Sequence, residues 1–103
     1  MTAAADYYTA ESEDGDVVCD PSEDALYIMV SHLRLPPNSF LTIEPPNPDV
    51  GWYVVVALQD GGGYEVEYRD ARRREHRIEQ EEDRSRLCRE VTTWLNNAVS
   101  YNH

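Results

Sequence analysis

The sequence contains no lysine: all nine of its positively charged residues are arginines, against 20 aspartates and glutamates. A Walker-type phosphate loop, a pyridoxal phosphate Schiff base and a lysine general base are therefore excluded, because each needs a lysine side chain. The formal net charge of −11 disfavours nucleic acids and anionic membranes as partners and favours a basic protein. The alternative is an acidic surface that serves only to keep the protein in solution.

Cysteines and long apolar runs are scarce as well. Cys19 and Cys88 are the only two cysteines, and their separation matches no redox or zinc-binding spacing. We expect reduced thiols packed as small apolar side chains, with a disulfide as the alternative. The longest apolar run, residues 52–58, is too short to cross a bilayer. Residues 1–6 lack the basic region and apolar core of a signal peptide, which predicts a cytoplasmic protein.

No arrangement typical of an active site or a metal centre stands out. The three histidines, His32, His76 and His103, do not combine with the cysteines at a metal-binding spacing. The glycines at 61–63 precede a predicted strand rather than a helix, so they do not form a phosphate-binding turn. We therefore predict a protein that is not an enzyme and binds neither metal nor cofactor. A small enzyme or ligand binder that uses a pocket between sheet and helices is the open alternative.

Apolar patterning predicts one α+β domain over residues 1–103, with a frayed end at residues 1–5. The run at 52–58 is apolar on both faces, which predicts a central strand covered at least partly on both sides. Two helices are expected, at 21–33 and from Asp83 onward. The other strands are expected at 6–10, 17–19, 40–43, 64–69 and 73–79. The order ββαββββα predicts an antiparallel sheet of about five to six strands with two helices packed on it.

Two local features sharpen this prediction. Asp20 is predicted to cap the first helix, with Pro21 at the first helical position and Glu23 three residues after the cap. The arginines of the last strand are predicted to lie opposite Glu65 and Glu67 as cross-strand ion pairs.

The negative charge is concentrated in the N-terminal part: residues 1–60 carry a formal charge of −10 and residues 61–103 only −1. Seven of these acids lie on the predicted hairpin and helix start and are predicted to form one docking patch for a basic protein: Glu11, Glu13, Asp14, Asp16, Asp20, Glu23 and Asp24. The alternative is a solvated turn followed by ordinary helix-dipole acids. Tyr7, Tyr8 and Tyr53 are the tyrosines that would serve as exposed anchors. The predicted partner-binding residues are Glu11, Glu13, Asp14, Asp16, Glu23, Asp24, Tyr7 and Tyr8.

Several segments between residues 6 and 98 carry a wider resemblance: 20–26 at the helix start, 39–43, 51–56, 62–70, and the closing helix with Trp94. Together they resemble a small α+β immunity family of bacterial polymorphic-toxin systems, often encoded beside deaminase-type toxins. The resemblance implies a cytoplasmic protein that binds a cognate basic toxin domain and occludes its active site with carboxylates and tyrosines. The resemblance implies this role but does not identify the residues that would perform it. An intracellular regulatory or adaptor module that binds another protein stays open as the alternative.

Overall fold

The structure is a computed structural model that describes residues 5–34 and 37–101, and within them it contains six strands and two α-helices. The strands are β1 (Thr9–Ser12), β2 (Val17–Cys19), β3 (Phe40–Glu44), β4 (Trp52–Leu58), β5 (Tyr64–Asp70) and β6 (Glu75–Glu81). The helices are α1 (Glu23–Ser31) and α2 (Arg84–Tyr101), and a short 3₁₀ helix lies at Pro48–Val50. The predicted α+β fold and its ββαββββα order are confirmed. The frayed end predicted at residues 1–5 lies, apart from Ala5, outside the described residues.

The six strands form one antiparallel sheet in the order β2-β1-β3-β4-β5-β6. The first strand begins later than the sequence predicted, at Thr9. The turn from β4 to β5 contains Gly61, Gly62 and Gly63, each with a positive φ that a side chain would strain. The hairpin sets a register in which Val56 lies opposite Leu41 on β3 and Val66 on β5. The predicted strand at 52–58 therefore lies inside the sheet.

Both helices pack on the same face of the sheet. Trp52, Val54 and Val56 of β4 are almost fully buried on that face, and Trp94 of α2 meets Trp52 edge-on with ring centroids 5.8 Å apart. The core-facing stripe of α2 consists of Leu87, Cys88, Val91, Trp94, Leu95 and Ala98. On the other face of β4 the side chains are only half-buried, and no helix among the described residues covers them. The expectation that both faces are covered is correct for one face only.

The start of α1 differs from the prediction. Ser22, not Asp20, is the N-cap, and its hydroxyl accepts a hydrogen bond from the backbone N–H of Ala25 at 3.1 Å. Asp20 has a φ of +48°, and its carboxylate accepts from three backbone N–H groups at residues 6–8, at 2.8–3.1 Å. Burial raises the pKa of Asp20, but these hydrogen bonds outweigh that effect and lower it. Asp20 thus ties the N-terminal segment to the start of α1.

The predicted cross-strand ion pairs of the last strand are wrong. β6 begins at Glu75, and its residues opposite Glu67 and Glu65 are Ile78 and Gln80. Arg77 is on the helix side of the sheet instead. Its guanidinium lies 4.6 Å from the centroid of the Tyr68 ring and donates to Glu79 of its own strand at 3.1 Å.

Cys19 and Cys88 are not joined to each other, so the disulfide alternative does not hold. Cys88 is buried against the core, as expected, and burial raises the pKa of its thiol to about 11. Cys19 is exposed, contrary to expectation. Among the described residues, neither helix combines the length and apolar character needed to span a membrane.

Candidate functional site

Among the described residues, no helix covers the sheet face opposite α1 and α2. This face is made by alternate side chains of all six strands, which antiparallel register aligns into rows. We name it the uncovered face. Its residues are Thr9, Glu11, Val17, Cys19, Phe40, Thr42, Glu44, Tyr53, Val55, Ala57, Glu65, Glu67, Arg69, His76, Ile78 and Gln80.

Apolar and aromatic side chains lie on four of the six strands of the uncovered face, namely β2, β3, β4 and β6. Val17, Phe40 and Ile78 are exposed by 49%, 36% and 54% respectively. Tyr53 and Val55, in the middle of the sheet, are half-buried by their neighbours alone. Scattered apolar residues are normal on a surface, but several of them on one sheet face, interspersed with the polar side chains of β1 and β5, are typical of a protein interface.

The uncovered face is also acidic. It carries four carboxylates, Glu11, Glu44, Glu65 and Glu67, and a single arginine, Arg69. With His76 neutral, its formal charge is therefore −3. A face that combines apolar area with net negative charge suits a partner whose surface is apolar and positively charged.

Glu67 is the most constrained carboxylate of the uncovered face. Its Oε2 atom accepts a hydrogen bond from the hydroxyl of Tyr53 at 3.2 Å and lies 2.8 Å from Nε2 of His76. Burial raises the pKa of Tyr53, and the hydrogen bond to Glu67 adds to that effect. Val55 and Ile78 are the direct cross-strand neighbours of Glu67 on β4 and β6. The Glu67 carboxylate is therefore held in place by Tyr53 and His76. It lies between two apolar side chains on the neighbouring strands.

The predicted N-terminal acids do not form one patch. Glu11 belongs to the uncovered face, whereas the turn after β1 lies near the C-terminal end of α1, where Asp14 shares a shallow surface depression with His32 and Arg34. Glu23 and Asp24 lie at the opposite end of α1, beside the first turn of α2. Nine helical residues, about 14 Å of helix, separate the two groups.

Two of the turn acids have structural partners. Glu13 accepts hydrogen bonds from the backbone N–H and the hydroxyl of Ser39, at 2.8 and 3.0 Å. Asp14 accepts from the Ser12 hydroxyl and from the backbone N–H of Asp16. Those hydrogen bonds, that of Ser12 first, hold the pKa of Asp14 below its usual value. Asp16 itself is exposed.

The two tyrosines among the predicted partner-binding residues differ in exposure. Tyr7 is 53% exposed, as an anchor must be. Tyr8 is only 8% exposed, and its ring packs edge-on against Trp52 with centroids 6.3 Å apart. Burial raises the pKa of its phenol, and the charge of Asp20 adds to that effect. Tyr8 is a core residue and offers a partner almost no surface.

An open groove of about 470 Å³ between β6 and α2 is the other cavity of note. Tyr68 and Trp94 form its apolar lining, and two arginines and two glutamates add charge. His76 is not part of it, because its side chain is on the uncovered face. Among residues 5–34 and 37–101, no three His, Cys, Asp or Glu side chains come together as a metal site.

Most of the uncovered face was missed as a site from the sequence. The alternation of apolar and charged residues along β5 indicates only that Glu65 and Glu67 face away from the core. No local sequence pattern shows that Phe40 and Tyr53 share a face. Their placement depends on the register between β3 and β4, which are separate segments of the chain.

Comparison with known proteins gives no match: no family model, no curated protein and no solved structure resembles this chain closely enough to count. The candidate site is therefore defined by its geometry and charge.

Proposed function

We propose that this is a cytoplasmic, non-catalytic binding protein that docks a basic surface of another protein on its uncovered face. The observation that carries the proposal is the coincidence of exposed apolar side chains with four carboxylates on one face of the sheet. Apolar area drives the association, and the carboxylates steer and select a positively charged partner.

The dimensions of the face support a protein partner over a small molecule. Six strands spaced about 4.8 Å apart, with central strands about 23 Å long, give a surface on the order of 600 Å². A stable protein interface buries about 800 Å² on each side, so the uncovered face with its rim is of that size. A small ligand would instead need a concave pocket that encloses it.

The specific form we propose is an immunity protein that occludes a toxin domain. The basis is the resemblance of the chain to that class, together with the acidic face. A toxin domain that acts on nucleic acid has a basic cleft, and a carboxylate-rich sheet face can cover such a cleft and repel its substrate. An adaptor would use the same face for another basic protein, so the identity of the captured partner separates the two roles.

Charge reversal at Glu65 tests the proposal. Glu65→Arg places a positive charge on the uncovered face, between Ala57 and Gln80 on the neighbouring strands, and Asp24→Arg makes the same change in net charge on α1. We expect a basic protein captured from the source cell by the wild type to bind Glu65→Arg at least about tenfold more weakly and Asp24→Arg with unchanged affinity. Quantitative affinity capture with mass spectrometry provides the measurement.

The proposal also requires that binding weaken as salt is added, because exposed charges are screened. Equal capture by Glu65→Arg and the wild type would exclude the uncovered face as the docking site. Loss of capture by Asp24→Arg alone would move the interface to the helix side.

A further inference from the structure

Glu67, the middle residue of β5 on the uncovered face, has one carboxylate oxygen without a hydrogen-bond partner among the described residues. Tyr53 and His76 both contact Oε2 of Glu67. Among the described residues, no donor lies within hydrogen-bond distance of Oε1. The side chain of Glu67 is 29% exposed, so Oε1 remains accessible to a donor from outside while the carboxylate is fixed in orientation.

The surroundings of Glu67 favour a flat cationic group. Val55 and Ile78 flank it on the neighbouring strands, at the separation of about 5 Å usual for cross-strand pairs. The ring of Tyr53 lies on the same face and offers a surface for stacking. A guanidinium can donate to a carboxylate with its planar fork and stack on an aromatic ring, whereas an ammonium group is a compact and more strongly hydrated charge.

The chain does not fill this site itself. Arg69 is the single arginine of the uncovered face and lies opposite His76 and Tyr53. Among the described residues, Arg69 makes no ion pair with Glu67. The one side chain there that can form an ion pair with Glu67 is His76, and only when His76 is protonated. The Glu67 carboxylate is thus oriented by side chains of this protein and still accessible to a cation of a partner.

We infer that Glu67 binds the guanidinium group of a partner arginine, with Tyr53 and His76 as positioning residues that orient its carboxylate. The inference rests on the proposed function of the uncovered face and names the side chain that the face recognises. A carboxylate already oriented loses less freedom on binding than a free one, so this contact would be a hot spot of the interface.

Titration with methylguanidinium chloride tests the site without the partner. Backbone amide signals in ¹⁵N–¹H NMR spectra should shift saturably, in the millimolar range, at Val55, Glu67 and Ile78. Methylammonium chloride at the same ionic strength should give weaker, non-saturating shifts. The Glu67→Gln protein should lose the saturable response, and Glu65→Gln, on the same face of β5, should keep it.

Tyr53→Phe removes only the hydroxyl that holds Oε2, and we expect it to weaken methylguanidinium binding several-fold without changing the thermal unfolding midpoint. An unaltered response in Glu67→Gln, or equal responses to the two cations, would overturn the inference. Such a result would leave the docking of a basic protein intact, because that proposal is tested separately by Glu65→Arg.

Discussion

Replacing Val56 with aspartate is expected to unfold the protein. Val56 is fully buried under the helices, between Leu41 and Val66 on the neighbouring strands. A carboxylate there has no partner, and an unpaired buried charge costs about 5 kcal/mol or more, comparable with the whole stability of a domain of this size. Circular dichroism and urea unfolding at neutral pH would measure the loss.

Val55→Asp is the matched control, since it makes the same change one residue earlier on the same strand. Val55 is on the uncovered face, where water reaches the side chain, and we expect a folded protein destabilised by about 1 kcal/mol. A folded and stable Val56→Asp protein would mean that β4 is not at the centre of the core. Unfolding of both variants would mean that another element covers the second face.

Asp70→Asn is expected to lower the free energy of unfolding by about 3 kcal/mol at neutral pH. Asp70 is fully buried at the end of β5. Its Oδ2 atom accepts from Nη2 of Arg72 at 2.9 Å and from Nε of Arg73 at 2.8 Å, and its Oδ1 from the backbone N–H and Nε of Arg72. Arg72 also donates to the carbonyl of Ala98, and Arg73 stacks on Trp94. The carboxylate thereby ties the turn after β5 to α2.

The same variant has a defined pH dependence. Burial raises the pKa of Asp70, but the hydrogen bonds from Arg72 and Arg73 outweigh it, so the folded pKa lies below the unfolded value. Such a group stabilises the fold above the unfolded pKa of about 3.9, and the contribution is lost as pH falls through the folded pKa. The stability difference between wild type and Asp70→Asn should therefore be constant from neutral pH to about pH 5 and shrink at lower pH.

Urea unfolding at several pH values measures this difference, with Asp60→Asn in the exposed turn before β5 as the control that should change little. A difference that does not depend on pH, or a loss no greater than that of Asp60→Asn, would contradict the role assigned to the buried carboxylate.

The parts of the fold with local signals were predictable from the sequence. The β4–β5 hairpin follows from an apolar strand and a strand of alternating apolar and charged residues on either side of three glycines, and α2 follows from its apolar stripe. The start of α1 was not predictable from the sequence. Asp20 precedes Pro21 and Glu23 as an N-cap residue commonly does, so the local pattern indicates a cap at Asp20. Its side chain instead binds backbone N–H groups at residues 6–8, and no local pattern signals that long-range contact.

The candidate site was less predictable for a related reason. An excess of negative charge is visible in the sequence, but its position depends on strand register and on which face the helices cover. Val55 and Ala57 look like buried residues because they are apolar. They are half-buried on a face without a helix, where the sheet itself shields them. Glu11 was identified, whereas Glu65 and Glu67 became part of the site only once β5 was paired with β4.

Site-specific photocrosslinking in the source cell tests most directly whether the uncovered face binds the partner. Ile78 on that face and Ile28 on the outer side of α1 are exposed by 54% and 56%, so they are nearly matched in residue type and accessibility. With a photoreactive amino acid at each position in turn, we predict a discrete covalent adduct with a basic protein from position 78 and none from position 28. An adduct from position 28 alone, or from neither position while the partner still co-purifies, would contradict the assignment of the uncovered face.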